Sequence, residues 1–184
     1  MRYVLFSLLL MLTLSVQAQR RLHGQQGFQA TIGKVDGLKT QSLHTGAAWS
    51  QFTRNSHRWV FGAEYLNKKL PYREQFIPVE QFTGEGGYYR TIISGRRKSF
   101  FFSAGISGIA GYELVNGDKS LLYDGSTLVS RSKFLYGGAV SFEIETYLFD
   151  NIILLMGFRQ RVLPGSTVNM FHNQLGAGIK IIIN

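Results

Sequence analysis

The feature that most constrains this chain is an alternation of large apolar and small or polar residues with a period of two, repeated along most of its length. Phe28, Ala30 and Ile32 alternate with Gln29, Thr31 and Gly33. Leu43, Thr45, Ala47 and Trp49 alternate with His44, Gly46, Ala48 and Ser50, and Trp59, Phe61, Ala63 and Tyr65 with Gly62, Glu64 and Leu66. A run over Gln81 to Ile93 carries mixed residues on both faces, so its phase stays open. Phe100, Phe102, Ala104 and Ile106 then face away from Ser103, Gly105 and Ser107. The last three runs set Phe134, Tyr136, Val140, Phe142 and Ile144 against Gly137, Ala139, Ser141, Glu143 and Glu145. They set Ile152, Leu154, Met156 and Phe158 against Gly157, Arg159 and Arg161, and Leu175, Ala177, Ile179, Ile181 and Ile183 against Gln174, Gly176, Gly178 and Lys180. A period of two is the geometry of a strand, with successive side chains on opposite faces. No amphipathic period of 3.6 competes with it.

Length and face chemistry narrow the fold. Most of these eight segments run about 9 to 14 residues. Strands of soluble proteins average about 5 to 6 residues, whereas a tilted strand needs roughly 9 to 11 to cross a bilayer. One face is large and apolar, and the other holds Gly, Ala, Ser and a few charges. In a soluble sandwich the large face turns inward. In a small membrane barrel it meets lipid, and a narrow lumen takes the small residues and paired charges. The connections alternate as well. Asn55-Ser56-His57, Ser94 to Lys98 and Phe149-Asp150-Asn151 are short, whereas Lys34 to Gln41, Lys68 to Pro78, Glu113 to Ser132 and Pro164 to Asn169 are longer. Short turns on the periplasmic side and longer loops outside are the pattern of outer-membrane barrels. The expected fold is therefore all-β: an antiparallel, eight-stranded, up-and-down transmembrane β-barrel with both termini on the periplasmic side. A periplasmic ligand-binding β-barrel is the alternative.

The first residues agree with export. Arg2 precedes an apolar run from Leu5 to Val16, and Val16-Gln17-Ala18 places small residues at the −3 and −1 positions of a cleavage site. Residues 1–18 read as a signal peptide, which leaves a barrel domain over 19–184. The run is too short for a transmembrane anchor. The chain has no cysteine, which excludes disulfide scaffolds, thiol catalysis and a lipoprotein anchor. With 14% aromatic and only 17% charged residues it is not a disordered chain.

The charges that fall on the small-residue face are the site-like feature. Glu64, Glu143, Glu145, Arg159, Arg161, His172 and Lys180 share the inferred interior. If the last two strands but one form a hairpin about Asp150, Arg159 lies opposite Ser141 and Glu143 opposite Gly157. Arg159 is then diagonal to Glu143, about 7 to 8 Å away, which its side chain can span. Eight strands enclose a space that side chains just fill, and buried charges there must be paired. A structural charge network is expected rather than an ion path. His172 and His44 admit a hydrolase reading, a small barrel enzyme acting on lipid, but no G-x-S-x-G or H-E-x-x-H supports it. No metal cluster or phosphate loop is visible: Gly84-Glu85-Gly86-Gly87 lies in a strand run with no helix behind it. Catalytic, cofactor and metal sites are all expected to be absent.

The net charge of +9 collects in short clusters at strand ends: Arg20-Arg21, Lys68-Lys69 and Arg96-Arg97-Lys98. Stacking aromatics are not interleaved with them, so direct nucleic-acid binding is not expected; contact with lipid headgroups fits them better. Trp49, Trp59, Tyr65, Tyr88, Tyr112, Phe134 and Tyr147 lie near strand ends, where interfacial girdles form.

The Gly86-Gly87-Tyr88-Tyr89-Arg90 segment, the paired carboxylates Glu143 and Glu145, the export segment ending at Ala18-Gln19 and the barrel pattern ending at Ile183-Asn184 together resemble the TraO family, conjugal transfer proteins of conjugative transposons. The resemblance spans the whole mature chain. It implies a non-enzymatic accessory component in the outer membrane of a Gram-negative bacterium. Its partners would be membrane lipid and other components of a conjugation apparatus. It carries no catalytic residue with it.

Overall fold

A computed structural model describes residues 21–37, 42–72, 75–96, 98–119, 126–127, 132–167 and 169–183. The expected signal peptide over 1–18 lies outside the described residues, as do Arg20, Arg97, Asp124 and Asn184. Eight strands follow one another: β1 Gln26–Val35, β2 Ser42–Phe52, β3 Arg58–Tyr72, β4 Gln75–Ser94, β5 Phe100–Val115, β6 Ser132–Tyr147, β7 Ile152–Val162 and β8 Phe171–Ile183. Each pairs antiparallel with the next, and β8 closes on β1 through ten partner pairs from Gln26↔Ile183 to Val35↔Gln174. The sheet has no free lateral edge where β1 meets β8, which is what closure achieves for a barrel.

The alternation read from sequence sets which side chains enter the barrel. Ser141, Glu143 and Glu145 of β6 are buried, while Val140, Phe142 and Ile144 between them are exposed on the outer wall. The open phase of β4 is settled by its neighbours. Gln81, Thr83 and Tyr89 are buried and Phe82 is exposed, so the odd positions point inward. Tyr89 lies directly opposite Gly105 of β5. A Cβ at Gly105 would come within 2.5 to 2.7 Å of the Tyr89 ring, so glycine here makes room for an aromatic side chain laid across the inner wall.

Two expectations need correction. The link Lys68 to Pro78 is not a loop. The β3–β4 ladder continues through Lys69↔Pro78 and Pro71↔Phe76 to Tyr72↔Gln75. Both prolines read as breakers, yet both lie within the ladder. Pro78 sits where β4 has lost its other neighbour, since the β4–β5 ladder stops at Val79↔Val115. A proline is tolerated on a strand edge, where no ladder donor is needed. The described β3 to β6 rise beyond β1 and β7, with β4 reaching 20 residues. Tyr147 is the second correction. It shares the inward parity of Glu145, and its ring meets Phe101 at 6.0 Å instead of joining an outer girdle. Trp59 and Tyr88 do lie on the outer wall, 4.9 Å apart.

Apolar clusters close the lumen at two levels. Near the end that holds both chain termini, Phe52, Ile153, Leu155 and Ile182 pack together. Towards the loop end, Ile109, Leu135, Ala139 and Leu163 do the same. The charged residues lie between and around these clusters.

Candidate functional site: a charge-filled lumen

The charges separate into tiers along the barrel axis. In the tier nearest the chain termini, the Glu145 carboxylate accepts hydrogen bonds from Arg21, from Arg58 at 3.0 Å and from Lys180 at 2.5 Å. Arg58 also donates to Glu143, and to Ser103 Oγ at 3.3 Å. Aromatic rings complete the enclosure. The Arg21 guanidinium lies 3.7 Å from the Phe101 ring centre and 4.9 Å from that of Phe52, and Arg58 lies 4.9 Å from that of Tyr89. Cations over ring faces gain most where water is excluded. Arg21 reaches this tier because the chain before β1 folds across the mouth: Gly24 N–H donates to the Phe52 carbonyl and Phe52 N–H to that of Gln25, each at 2.8 Å.

The middle tier is built on Glu64. Its Oε1 accepts from Arg161 and from Gln174, both at 2.6 Å, and its Oε2 from Arg159 at 3.3 Å. Arg159 spans the lumen. It pairs with Glu85 at 2.9 Å and donates to Ser141 Oγ at 3.1 Å and to the Tyr89 hydroxyl at 3.2 Å. Arg161 donates to Thr83 Oγ1 at 2.9 Å. His44 Nδ1 stands 3.6 Å from Glu64. A cavity of about 50 Å³ opens among His44, Glu64, Ser141, Glu143, Arg159 and Gln174. That is room for a few waters, and far too little for a polymer.

At the loop end, Glu113 accepts from Gln81 at 2.7 Å, and from Ser166 Oγ and Thr167 N–H at 2.9 Å each. It ties the β7–β8 loop to the barrel rim. Asp36, just past β1, accepts from Lys68 at 2.5 Å and from Asn173 N–H at 3.1 Å, with His172 Nδ1 at 3.3 Å. Burial pushes the Asp36 carboxyl up, but the Lys68 and Asn173 hydrogen bonds and the charges of Lys68 and His172 outweigh it, leaving it below the usual aspartate range.

The structure thus brings Glu143, Glu145 and Lys180 into one tier and Glu64, Arg159 and Arg161 into another. His172 stands apart, against Asp36. The expected register is observed, with Ser141↔Arg159 and Glu143↔Gly157. The expected partner is not. Arg159 reaches across the lumen to Glu64 and Glu85, because the Glu143 carboxylate is held by Arg58. A narrow barrel brings opposite walls as close as diagonal neighbours on one wall.

Sequence reasoning missed Arg58, Arg21 and Glu85. Arg58 shares the parity of Val60 and Glu64 and was legible. Glu85 was hidden in the glycine run of uncertain phase. Arg21 precedes the first strand and carries no strand signal.

The family model described as conjugative transposon protein TraO matches residues 17–183. No match is found among curated proteins. Among solved structures, Neisserial surface protein A (NspA) superposes with a TM-score of 0.58 at 13% identity, over 85% of this chain and 95% of that one. Ail, the attachment invasion locus protein of Yersinia pestis, crystallised with the heparin analogue sucrose octasulfate, gives 0.58 at 8% identity, over 88% and 100%. The N-terminal β-barrel domain of Pseudomonas aeruginosa OprF gives 0.54 at 7% identity, over 88% and 98%. At these identities the likeness is one of fold: the closed eight-stranded barrel is the architecture of these proteins.

Proposed function

The chain belongs to the conjugative transposon protein TraO family, and we propose that it is a non-enzymatic accessory component of a conjugative DNA-transfer apparatus, held in the outer membrane of a Gram-negative bacterium. Residues 1–18 direct export and are removed, so the mature chain starts at Gln19. The outer wall supports the membrane reading. Phe28, Phe61, Ile106, Val140, Met156 and Ile179 are large, apolar and 46% to 68% exposed from strand to strand around the barrel. Such a belt is stable against lipid and costly against water.

The observation that carries the accessory role is the filled lumen. Buried ion pairs at two levels and apolar clusters at two levels leave no path for a charged polymer. A part in transfer then falls to the loops, the turns and the outer wall, which hold other components in place. His172 and His44 each face a single carboxylate, Asp36 and Glu64 respectively, an arrangement that serves pairing rather than nucleophilic catalysis.

The test is a donor strain lacking the gene, complemented with the wild-type chain. The expected result is a fall in DNA-transfer frequency that the wild-type chain restores, with the protein in the outer-membrane fraction and shifting in gel mobility on heating. Unchanged transfer in the deletion strain would refute the conjugation role. Recovery in the soluble periplasmic fraction would refute the membrane placement.

A further inference from the structure

We infer that the rim bearing the short turns, on the β3–β7 side of the barrel, is a binding surface for anionic phospholipid headgroups, formed by Arg54, Arg90, Arg96 and Lys98 beside exposed apolar side chains. The inference rests on the outer-membrane reading, in which this rim meets the periplasmic leaflet.

Local geometry gathers these residues. A register shift between Thr91 and Ile93 breaks the β4–β5 ladder. The β2–β3 turn docks on the break: Thr91 N–H donates to His57 Nδ1 at 3.1 Å, and Thr91 Oγ1 donates to the Ser56 carbonyl at 2.7 Å. That sets the turn that carries Arg54 against the end of β4 that carries Arg90. His57, on the same turn, is held below its usual pKa by burial and then by the Arg90 charge. The β4–β5 turn, with Arg96 and Lys98, joins the next turn through Tyr147 N–H bonding to the Ser99 carbonyl at 2.9 Å.

The charges are one-sided. Arg54, Arg90, Arg96 and Lys98 are exposed, and none forms an ion pair with a described residue. Among the described residues, Asp150 is the one carboxylate on this rim outside the lumen. The loop end differs, since Asp36 offsets Lys68 there and Glu80 and Asp118 lie nearby. The apolar side chains sit at the same level. Ile92 and Ile93 are 57% and 56% exposed, and Leu148 and Phe149 on the β6–β7 turn are 53% and 67% exposed. The bulge is what turns two consecutive isoleucines out of the barrel. Exposed apolar side chains this close to unpaired cations fit an interface that offers acyl chain and phosphate together. An acidic protein surface would satisfy the cations and leave the isoleucines and Phe149 in water.

Trp49 and Trp59 lie on the outer wall at this end of the barrel, and Trp59 contacts Tyr88, two residues from Arg90. They report directly on the neighbouring lipid. The mature chain is refolded into phosphatidylcholine vesicles carrying a small fraction of dibrominated phosphatidylglycerol or of dibrominated phosphatidylcholine, and tryptophan quenching is compared. The expected result is a preference for the brominated phosphatidylglycerol of at least about fivefold, the effect of one basic side chain beside an anionic surface. High salt should reduce it, and R90Q/R96Q/K98Q should bring it close to one. K69Q, at the loop end, should leave it unchanged. Equal quenching by both lipids in the wild-type chain, or an undiminished preference in the triple variant, overturns the inference while leaving the barrel in its bilayer. Equal quenching together with a transfer defect in the triple variant would assign the rim to a protein partner and also overturn it. Quenching by neither lipid would place the chain outside the bilayer and overturn the membrane reading as well.

Discussion

Individual residues in this lumen are held by what surrounds them more than by their strand neighbours. Arg58 shows the consequence. Its guanidinium is fully buried and bonds both Glu143 and Glu145. Replacing it with alanine leaves Glu143 without its cation and takes from Glu145 one of its three, Arg21 and Lys180 remaining, and removing one partner of a buried pair costs about 3 to 5 kcal/mol. Arg58→Ala should therefore be among the most destabilising single substitutions in the barrel, read as the urea midpoint for unfolding in detergent. Glu143→Gln and Arg58→Gln should be strongly coupled in a double-mutant cycle, by about 1 to 3 kcal/mol. Glu143→Gln with Arg159→Gln should couple less, since Arg159 is bound to Glu64 and Glu85; stronger coupling in that second cycle would contradict the observed pairing. Asp36 adds a pH dependence. Its folded pKa is lower than its unfolded one, so the stability it contributes is present above about pH 4, the usual aspartate range, and is lost as pH falls through the folded pKa. Wild type should exceed Asp36→Asn in stability at pH 6, and the gap should close towards pH 2. A gap that widens on acidification would mean that Asp36 is not held in its charged form.

At the scale of the elements, what was legible depended on whether a strand had one clean face. β6 and β7 did, and the turn at Asp150 fixed their register to the residue, because a shift of one would turn every apolar side chain into the lumen. β4 did not. Gly84, Gly86 and Gly87 carry no side chain to mark a face, so Glu85 could be assigned only once Tyr89 was seen against Gly105. The β3–β4 hairpin was misread for a different reason: Lys68, Lys69, Pro71 and Pro78 are loop-type residues, and only the pairing itself shows that the ladder runs through them. The acidic partners of Arg159 were beyond sequence reasoning, because Glu64 and Glu85 lie on β3 and β4, across a lumen whose width the pattern does not state. The long connection between β5 and β6 was legible, and it carries a prediction. Asn116, Gly117 and Asp118 form a single turn with positive φ at all three positions just beyond β5. An epitope inserted after Asp118 interrupts no ladder pairing, so folding should survive it. In the proposed orientation the epitope should be labelled on intact cells. Labelling only after the outer membrane is permeabilised would reverse that orientation.

For the molecule as a whole, the decisive question is whether the barrel, in the transfer role proposed for it, itself forms the passage. A conduit is the obvious guess for a barrel in that role, and the interior argues against it. Water-filled channels appear at about 16 to 18 strands, whereas eight enclose a space that side chains just fill. Here that space holds Arg58, Arg161, Lys180 and Glu145, all 1% exposed or less, and the cavity among the middle-tier charges amounts to about 50 Å³. Opening a path would require breaking ion pairs at two levels and parting the apolar clusters at two levels, each change separating buried groups from the partners that hold them. Those costs add along the axis, so thermal fluctuation of the monomer will not supply an open state of useful lifetime. Planar-bilayer recording on the purified, refolded chain should show no large, steady conductance. Arg58→Ala and Arg159→Ala, which thin the plug at different levels, should each give at most brief, small openings while the other level stays closed. A stable nanosiemens-scale pore from the wild-type monomer would contradict the filled lumen and return the conduit reading to first place.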